Sequence, residues 1–208
     1  MQFFMDKNFI SLINNLIEEG TLKTPDIIKA FEKIDRKDFM LDFEKDFVYQ
    51  NIPLSIGHWQ TISQPSTVAF MLELLEPRER DIILDIGSGS GWTTALLGFI
   101  VWEKWHVTGL EIIPELVKFW RQNLWKYKNL NANIIQAEEE ILWLPENTFD
   151  KILVSASAST FPRELLNQLK PNWRLVIPIE NSIFLYQKDK KWNVSSKEFP
   201  GFVFVPLI

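Results

Sequence analysis

Phe9, Ile10, Leu12, Ile13, Leu16 and Ile17 recur at helical spacing, and Glu18-Glu19-Gly20 closes the run, so the pattern predicts a first helix. Thr24-Pro25-Asp26 reads as the start of a second, with Thr24 as its cap, Pro25 in its first turn and Ile27, Ile28, Phe31 and Ile34 along one side. From residue 36 to 65 the periodicity stops. Pro53, Gly57 and Pro65 punctuate an irregular stretch whose aromatics (Phe39, Phe43, Phe47, Tyr49, Trp59) predict packing onto another part of the molecule. A connection of that length is either functional or a linker.

Beyond it, helical and strand signals alternate. The pattern predicts helices over 68–75, 92–99, 114–127 and 162–169, and strands over 81–86, 105–110, 133–137, 150–155 and 174–179. Residues 184–187 and 202–206 read as closing antiparallel strands. Strands alternating with helices imply an α/β fold, doubly wound and mostly parallel, with helices on both faces of the sheet and a small helical N-terminal extension. Residues 1–65 and 66–208 are expected to form one structural unit, the first part packed on the second.

Composition narrows the chemistry. The chain has 208 residues, no cysteine and two histidines, His58 and His106, which excludes disulfides and thiolate chemistry and leaves no metal centre to expect. His106 is expected to be structural and His58 a packed or hydrogen-bonded loop residue. A net charge of −5 speaks against broad contact with nucleic acid. The start lacks a basic segment followed by an apolar run, and the longest apolar passage, 95–102, is too short for a membrane span. A cytoplasmic chain without a membrane partner is the expectation.

The informative segment is Asp85-Ile86-Gly87-Ser88-Gly89-Ser90-Gly91-Trp92, between a strand and a helix. Glycines at alternate positions let the chain turn tightly and let a ligand approach the main chain. A dinucleotide fingerprint needs glycine at 92, where Trp stands, and no Lys-Ser or Lys-Thr pair follows to make a phosphate loop. Instead, carboxylates close successive strands: Asp85, then Glu111, able to accept both hydroxyls of a ribose, then Glu138, able to meet an exocyclic amine. Each alone reads equally as a solvated loop residue. Together they describe a site for a nucleoside carrying an amino acid, such as S-adenosylmethionine, at the carboxyl ends of the strands.

Further residues carry a resemblance. Pro53-Leu54-Ser55-Ile56-Gly57-His58-Trp59-Gln60-Thr61-Ile62-Ser63-Gln64-Pro65, the glycine loop, Glu111-Ile112-Ile113-Pro114-Glu115-Leu116, Gln168-Leu169-Lys170-Pro171 and Phe204-Val205-Pro206-Leu207 together resemble the protein-L-isoaspartate O-methyltransferase family. The resemblance implies a seven-stranded Rossmann-like sheet. It also implies S-adenosyl-L-methionine as methyl donor, with S-adenosyl-L-homocysteine as product, and isoaspartyl proteins or peptides as acceptors of a repair methylation at the free α-carboxylate. It gives Ser63 the catalytic place. It assigns Asp85, Gly87, Ser88, Gly89, Ser90, Gly91, Glu111, Ile112, Glu138 and Glu139 to the cofactor, and Gln60, Thr61, Ile62, Ser63, Ser155, Ala156, Ser157 and Val205 to the substrate. A monomer is expected.

The chain departs from the family pattern at Ala137-Glu138-Glu139 (usually Gly-Asp-Gly), at Ser155-Ala156-Ser157-Ala158-Ser159 (usually alanine-rich) and at Pro171-Asn172-Trp173 (usually Pro-Gly-Gly), and it stops at Ile208. Competing readings are a methyltransferase of the same cofactor with another acceptor, and a scaffold that has lost turnover. The repair reading suits the composition, because an acceptor carboxylate is already ionised at neutral pH and needs no base.

Overall fold

In the computed structural model, the strand residues sort alternately to two faces of one sheet. Residues 6–102, 106–127, 130–137, 148–189, 191 and 193–207 are described. Ile83, Leu153 and Val176 join the core beneath the N-terminal helices, whereas Leu84, Ile86, Ile152, Val154, Leu175 and Ile177 join a second core on the other face. Side chains alternate with a period of two, so a strand buried on both faces carries apolar residues toward each, as Ile83-Leu84, Ile152-Leu153-Val154 and Leu175-Val176-Ile177 do, with Asp85 the buried exception in β3.

The chain opens with helices α1 (Lys7–Glu18) and α2 (Pro25–Lys33). Two 3₁₀ turns follow, Arg36–Phe39 and Asp42–Phe47, and then a hairpin of β1 (Leu54–Gly57) and β2 (Gln60–Ile62). After them come α3 (Pro65–Leu75), β3 (Ile83–Ile86), α4 (Trp92–Val101), β4 (Val107–Glu111), α5 (Pro114–Leu124), β5 (Ala132–Gln136) and β6 (Phe149–Val154). The short α6 (Glu164–Asn167) leads to β7 (Leu169–Ile179), β8 (Ser182–Lys188) and β9 (Val194–Pro200). The seven-stranded sheet has the order β5-β4-β3-β6-β7-β8-β9. Its first five strands are parallel, and β8 and β9 run antiparallel. The chain winds outward from β3 to β5, then returns to add β6 on the other side of β3. Ligands in such sheets bind outside the carboxyl ends of the strands, at this point of reversal.

The expected fold class stands, with corrections in detail. The seventh strand is β9, not 202–206, which instead crosses over the loop after β6 and bonds there through Ser157 and Leu207. Six of the seven β9 residues are exposed, so no alternation marks this edge strand in the sequence. The irregular 36–65 stretch contains the hairpin, and the helix expected over 162–169 shrinks to one turn. Thr24 occupies the cap position of α2, but its hydroxyl donates to Glu73 Oε2 at 2.7 Å instead of capping. His58 is neither packed nor hydrogen-bonded among the described residues; it stands exposed in the hairpin turn. His106 is bracketed by the side chains of Asn131 and Asn133, at 3.2 and 2.7 Å. Asn172 takes the left-handed conformation (φ 64°), which turns Trp173 into the second core.

Helix α2 packs on α3 and α4 and carries α1, and one apolar cluster runs from Phe9 in α1 to Leu185 in the sheet. Among the described residues, no helix is long and apolar enough to cross a membrane, and no group of three or more His, Asp or Glu side chains is placed to hold a metal ion.

Candidate active site

The glycine loop follows β3, whose central residue Asp85 is fully buried. Its carboxylate accepts from Ser155 Oγ (2.9 Å) after β6 and from Thr94 Oγ1 in α4. Desolvation raises its pKa to about 6, aided slightly by the Glu111 charge and opposed by the two hydroxyl donors. Asp85 therefore ties the loop's base to the two elements flanking it. Ser88 Oγ donates to the Leu110 carbonyl (3.2 Å), and Ser90 Oγ accepts from the Trp92 N–H (3.3 Å). Both hydroxyls are turned inward, so at these positions the loop presents main chain.

Glu111 ends β4. Its carboxylate accepts from the N–H groups of Gly89 (2.8 Å) and Ile113 (3.0 Å), joining the glycine loop to the next one, with Ile112 between. A carboxylate has about four acceptor sites, so two remain for outside donors such as ribose hydroxyls. Gly91 has φ 83°, and a Cβ there would lie 1.9 Å from the indole of the fully buried Trp120. Only glycine fits. At Gly87 a Cβ would press on Ala156 Cβ at 3.3 Å, which is how Ala156 supports the loop from the β6 side. Glu138 and Glu139 lie outside the described residues.

Next to this crevice is a cavity of about 540 Å³. Of the residues expected at the substrate it gathers Thr61, Ser63, Ser155 and Val205. Pro53, Gln64 and Phe204, from the motifs that carry the resemblance, also line it, as do Thr21, Ser66, Thr67, Phe70 and Phe202, which no sequence pattern marks out. Phe70 belongs to the helical run of α3 like any core residue. Thr21 sits in the link between two helices. Gln60 pairs with Gly57 in the hairpin, Ile62 is in the core, and Ser157 holds the C-terminal segment through its main chain and donates from Oγ to the Glu180 carbonyl (3.1 Å). These three are outside the cavity lining, as is Ala156.

No Lys, Arg, Asp or Glu lines the cavity among the described residues. One wall is aromatic, with Phe70 stacked on Phe202 at 5.3 Å and meeting Phe199 edge-on at 5.2 Å. Hydroxyls line it as well, from Thr21, Thr61, Ser63, Ser66, Thr67 and Ser155. The proton of Ser155 is committed to Asp85, whereas the hydroxyl of Ser63 has no hydrogen-bond partner among the described residues. Ser63 does not cap α3 either; Gln64 holds the cap position and the Ser66 N–H is taken by Asn51 Oδ1 at 2.9 Å. Trp92, just after the glycine loop, faces the N-terminal helices and not the crevice. Its ring meets Phe31 at 5.4 Å and its Nε1 donates to the Ile34 carbonyl at 3.2 Å.

The chain is similar to known proteins over nearly its whole length. The family model for protein-L-isoaspartate(D-aspartate) O-methyltransferase (PCMT) matches residues 7–208. A protein-L-isoaspartate O-methyltransferase of Pyrococcus abyssi is 36% identical over 202 residues, covering 94% of this chain and 92% of that protein. One from Thermococcus onnurineus is 39% identical over 203 residues, covering 94% and 91%. A Plasmodium falciparum structure described as the same enzyme, in complex with S-adenosyl-L-homocysteine, superposes with a TM-score of 0.83 at 30% identity, covering 98% of this chain and 99% of that one. The chain belongs to the protein-L-isoaspartate(D-aspartate) O-methyltransferase family.

Proposed function

We propose that Ser63 is the residue that orients the acceptor carboxylate in this chain's reaction, the transfer of a methyl group from S-adenosyl-L-methionine to the free α-carboxylate of L-isoaspartyl residues in damaged proteins or peptides. The observation that carries this reading is a free hydroxyl on the wall of an uncharged cavity, beside a glycine loop at the reversal point of the sheet.

The residues present fit the cofactor. Glu111 keeps acceptor capacity for ribose hydroxyls, Gly87 and Gly89 leave the loop bare of side chains, and the buried Asp85 places negative charge beneath a ligand that is cationic at sulfur and nitrogen. When bound, S-adenosyl-L-methionine supplies an electrophilic methyl group on a sulfonium. Glu138 and Glu139 complete the assigned cofactor set as proposals from the sequence.

The acceptor needs no base, so this chain's residues have only to position it and exclude water. Ser63 donates to one carboxylate oxygen and leaves the other free to attack. Thr61 supplies a second hydroxyl. Ser155, whose proton is held by Asp85, accepts from a substrate N–H. The aromatic wall takes the side chain next to the isoaspartyl residue and keeps the path dry. Alignment of this kind contributes up to roughly 7–11 kcal/mol. The acceptor is thus a polypeptide, met by a cytoplasmic monomer with no nucleic-acid or membrane partner.

The test is methyl transfer from radiolabelled cofactor to paired peptides, one isoaspartyl and one aspartyl, with Ser63→Ala beside the parent. We expect base-labile label on the isoaspartyl peptide alone, and a loss of about 100-fold in Ser63→Ala, the effect of removing an oriented donor. Binding of cofactor with label on neither peptide would point to a different acceptor.

A further inference from the structure

Arg36 is a charged side chain in the core that no step above uses. It is 1% exposed, at the start of the 3₁₀ turn Arg36–Phe39. Buried charges are ordinarily paired with an opposite charge. Arg36 has no carboxylate partner among the described residues. Its guanidinium meets four main-chain carbonyls instead. Nη1 donates to Val48 (2.7 Å) and Gln50 (3.3 Å), and Nη2 donates to Ile52 (2.9 Å) and Ser63 (3.1 Å). Its central carbon lies 5.6 Å from the ring of Trp92. Burial lowers its pKa to about 9, which leaves the group cationic at neutral pH.

Three of the four carbonyls belong to alternate residues of the 48–52 segment, and the fourth belongs to Ser63. The turn that carries Arg36 is itself anchored from two sides. The Asp35 carboxylate accepts from the Lys37 N–H (2.9 Å) and from the Tyr49 hydroxyl (3.0 Å), and the Asp35 N–H donates to Tyr127 Oη (2.9 Å). One residue earlier, the Ile34 carbonyl accepts from Trp92 Nε1. Trp92 is the first residue of α4, immediately after the glycine loop. The guanidinium is therefore a rigid bridge between the end of the cofactor loop and the backbone of Ser63. No side-chain hydrogen bond holds Ser63, so the main chain alone fixes where its Cβ stands and hence the reach of its hydroxyl.

We infer that Arg36 is a positioning residue of the methyl transfer, fixing Ser63 relative to the glycine loop by joining the Ser63 carbonyl to the 48–52 segment and to the face of Trp92. This rests on the role given to Ser63 above. The residue type follows from the geometry. A planar fork with donors on two nitrogens serves four acceptors and lies over an indole at once; a lysine ammonium offers three donors from one point. Misplacement of a reacting group by about 1 Å costs about 100-fold in rate, so a carbonyl anchor on Ser63 acts on turnover more than on cofactor binding.

Arg36→Lys and Arg36→Met are compared with the parent and with Ser63→Ala, using an isoaspartyl peptide as acceptor. Calorimetry with S-adenosyl-L-homocysteine gives the affinity and counts folded sites, and kcat is expressed per site. Arg36→Lys is expected to keep the S-adenosyl-L-homocysteine affinity and the peptide KM within about threefold while kcat falls at least tenfold, and Arg36→Met is expected to fall further. A kcat per site within threefold of the parent overturns the inference, as does a loss of S-adenosyl-L-homocysteine affinity equal to the loss of kcat, which would mark a general structural role. Should neither variant fold, Asn51→Ala releases the same segment from the Ser66 N–H. It is expected to lower kcat at least threefold at unchanged affinity, and an unchanged kcat again overturns the inference. A Ser63→Ala variant as active as the parent would remove the role of Ser63 instead, so the two failures read differently.

Discussion

The cofactor crevice and the acceptor cavity adjoin, yet they treat their polar groups in opposite ways. In the crevice, the side chains of Asp85, Ser88, Ser90 and Glu111 each hold a protein partner. In the cavity, the hydroxyls of Thr21, Thr61, Ser63, Ser66 and Thr67 have none among the described residues. The difference matches what each must bind. One cofactor returns at every turnover, and a site locked in advance spends little of its binding energy on ordering. Acceptors differ in sequence, and rotatable hydroxyls settle their direction only when a carboxylate or an amide arrives.

The locked side is broken most severely by Gly91→Ala. The added methyl would fall within the indole of Trp120, at a backbone angle that side chains rarely adopt, so either the loop or α5 must move. We expect a loss of at least about 3 kcal/mol and a fall in Tm of about 10 °C, with S-adenosyl-L-homocysteine binding abolished. Thermal melting together with calorimetry checks this. A variant that melts with the parent and binds normally would show that the cradle is far softer than its contacts indicate.

Asp85→Asn sharpens the contrast by separating the crevice's architecture from its charge. The folded state holds the Asp85 proton up to about pH 6, whereas the unfolded chain releases it near the reference value of 3.8. The folded form therefore binds more protons across that window, and stability falls as pH rises through it. Below about pH 4 the penalty is absent; above about pH 6 it stands in full, at most about 3 kcal/mol. Asparagine carries no charge and keeps one oxygen for Ser155 or Thr94. Urea melts should show the variant more stable than the parent by about 1–3 kcal/mol at pH 8, with the gain vanishing near pH 4. Cofactor affinity at pH 8 should fall, because the negative charge beneath the loop is gone. A stability gain equal at both pH values would mean that desolvation of the carboxylate is not its source.

The two regions also differ in how far the sequence discloses them. The crevice is written in local patterns: an apolar run such as Ile82-Ile83-Leu84, glycines at alternate positions, and a carboxylate closing each strand. Glu111 and the glycines of the loop sit where the pattern put them and Asp85 lies one residue inside its strand, although the inward turn of the Ser88 and Ser90 hydroxyls needs a neighbouring strand that no local pattern describes. The cavity is assembled from segments far apart in the chain, Thr21, 53–70, Ser155 and 201–205, and only Pro53, Thr61, Ser63, Gln64, Phe204 and Val205 among its lining belong to a recognisable motif. The hairpin escapes notice because its turn is His58-Trp59, without the Asn or Gly that ordinarily marks such a turn. Arg36 escapes because an arginine destined for four carbonyls looks in the sequence like an arginine destined for water.

That unmarked turn offers the smallest and most discriminating change. His58 and Trp59 adopt φ values of 53° and 60°, the pair a two-residue hairpin requires, and Trp59 is 98% exposed. Each non-glycine residue there costs on the order of 1 kcal/mol, and the indole recovers none of it through burial. Trp59→Gly removes the cost at one position while giving the unfolded chain more freedom, so the net stabilisation should stay below about 1 kcal/mol, a rise of about 2 °C in Tm. S-adenosyl-L-homocysteine affinity should not change, because Ile56 is the hairpin residue that approaches the glycine loop, whereas Trp59 is exposed. The peptide KM then decides what the strain supports. If it rises several-fold, the exposed indole contacts the acceptor and belongs to the adaptable side of the comparison. If it stays at the parent value, the turn serves only to hold Thr61 and Ser63 at the cavity wall.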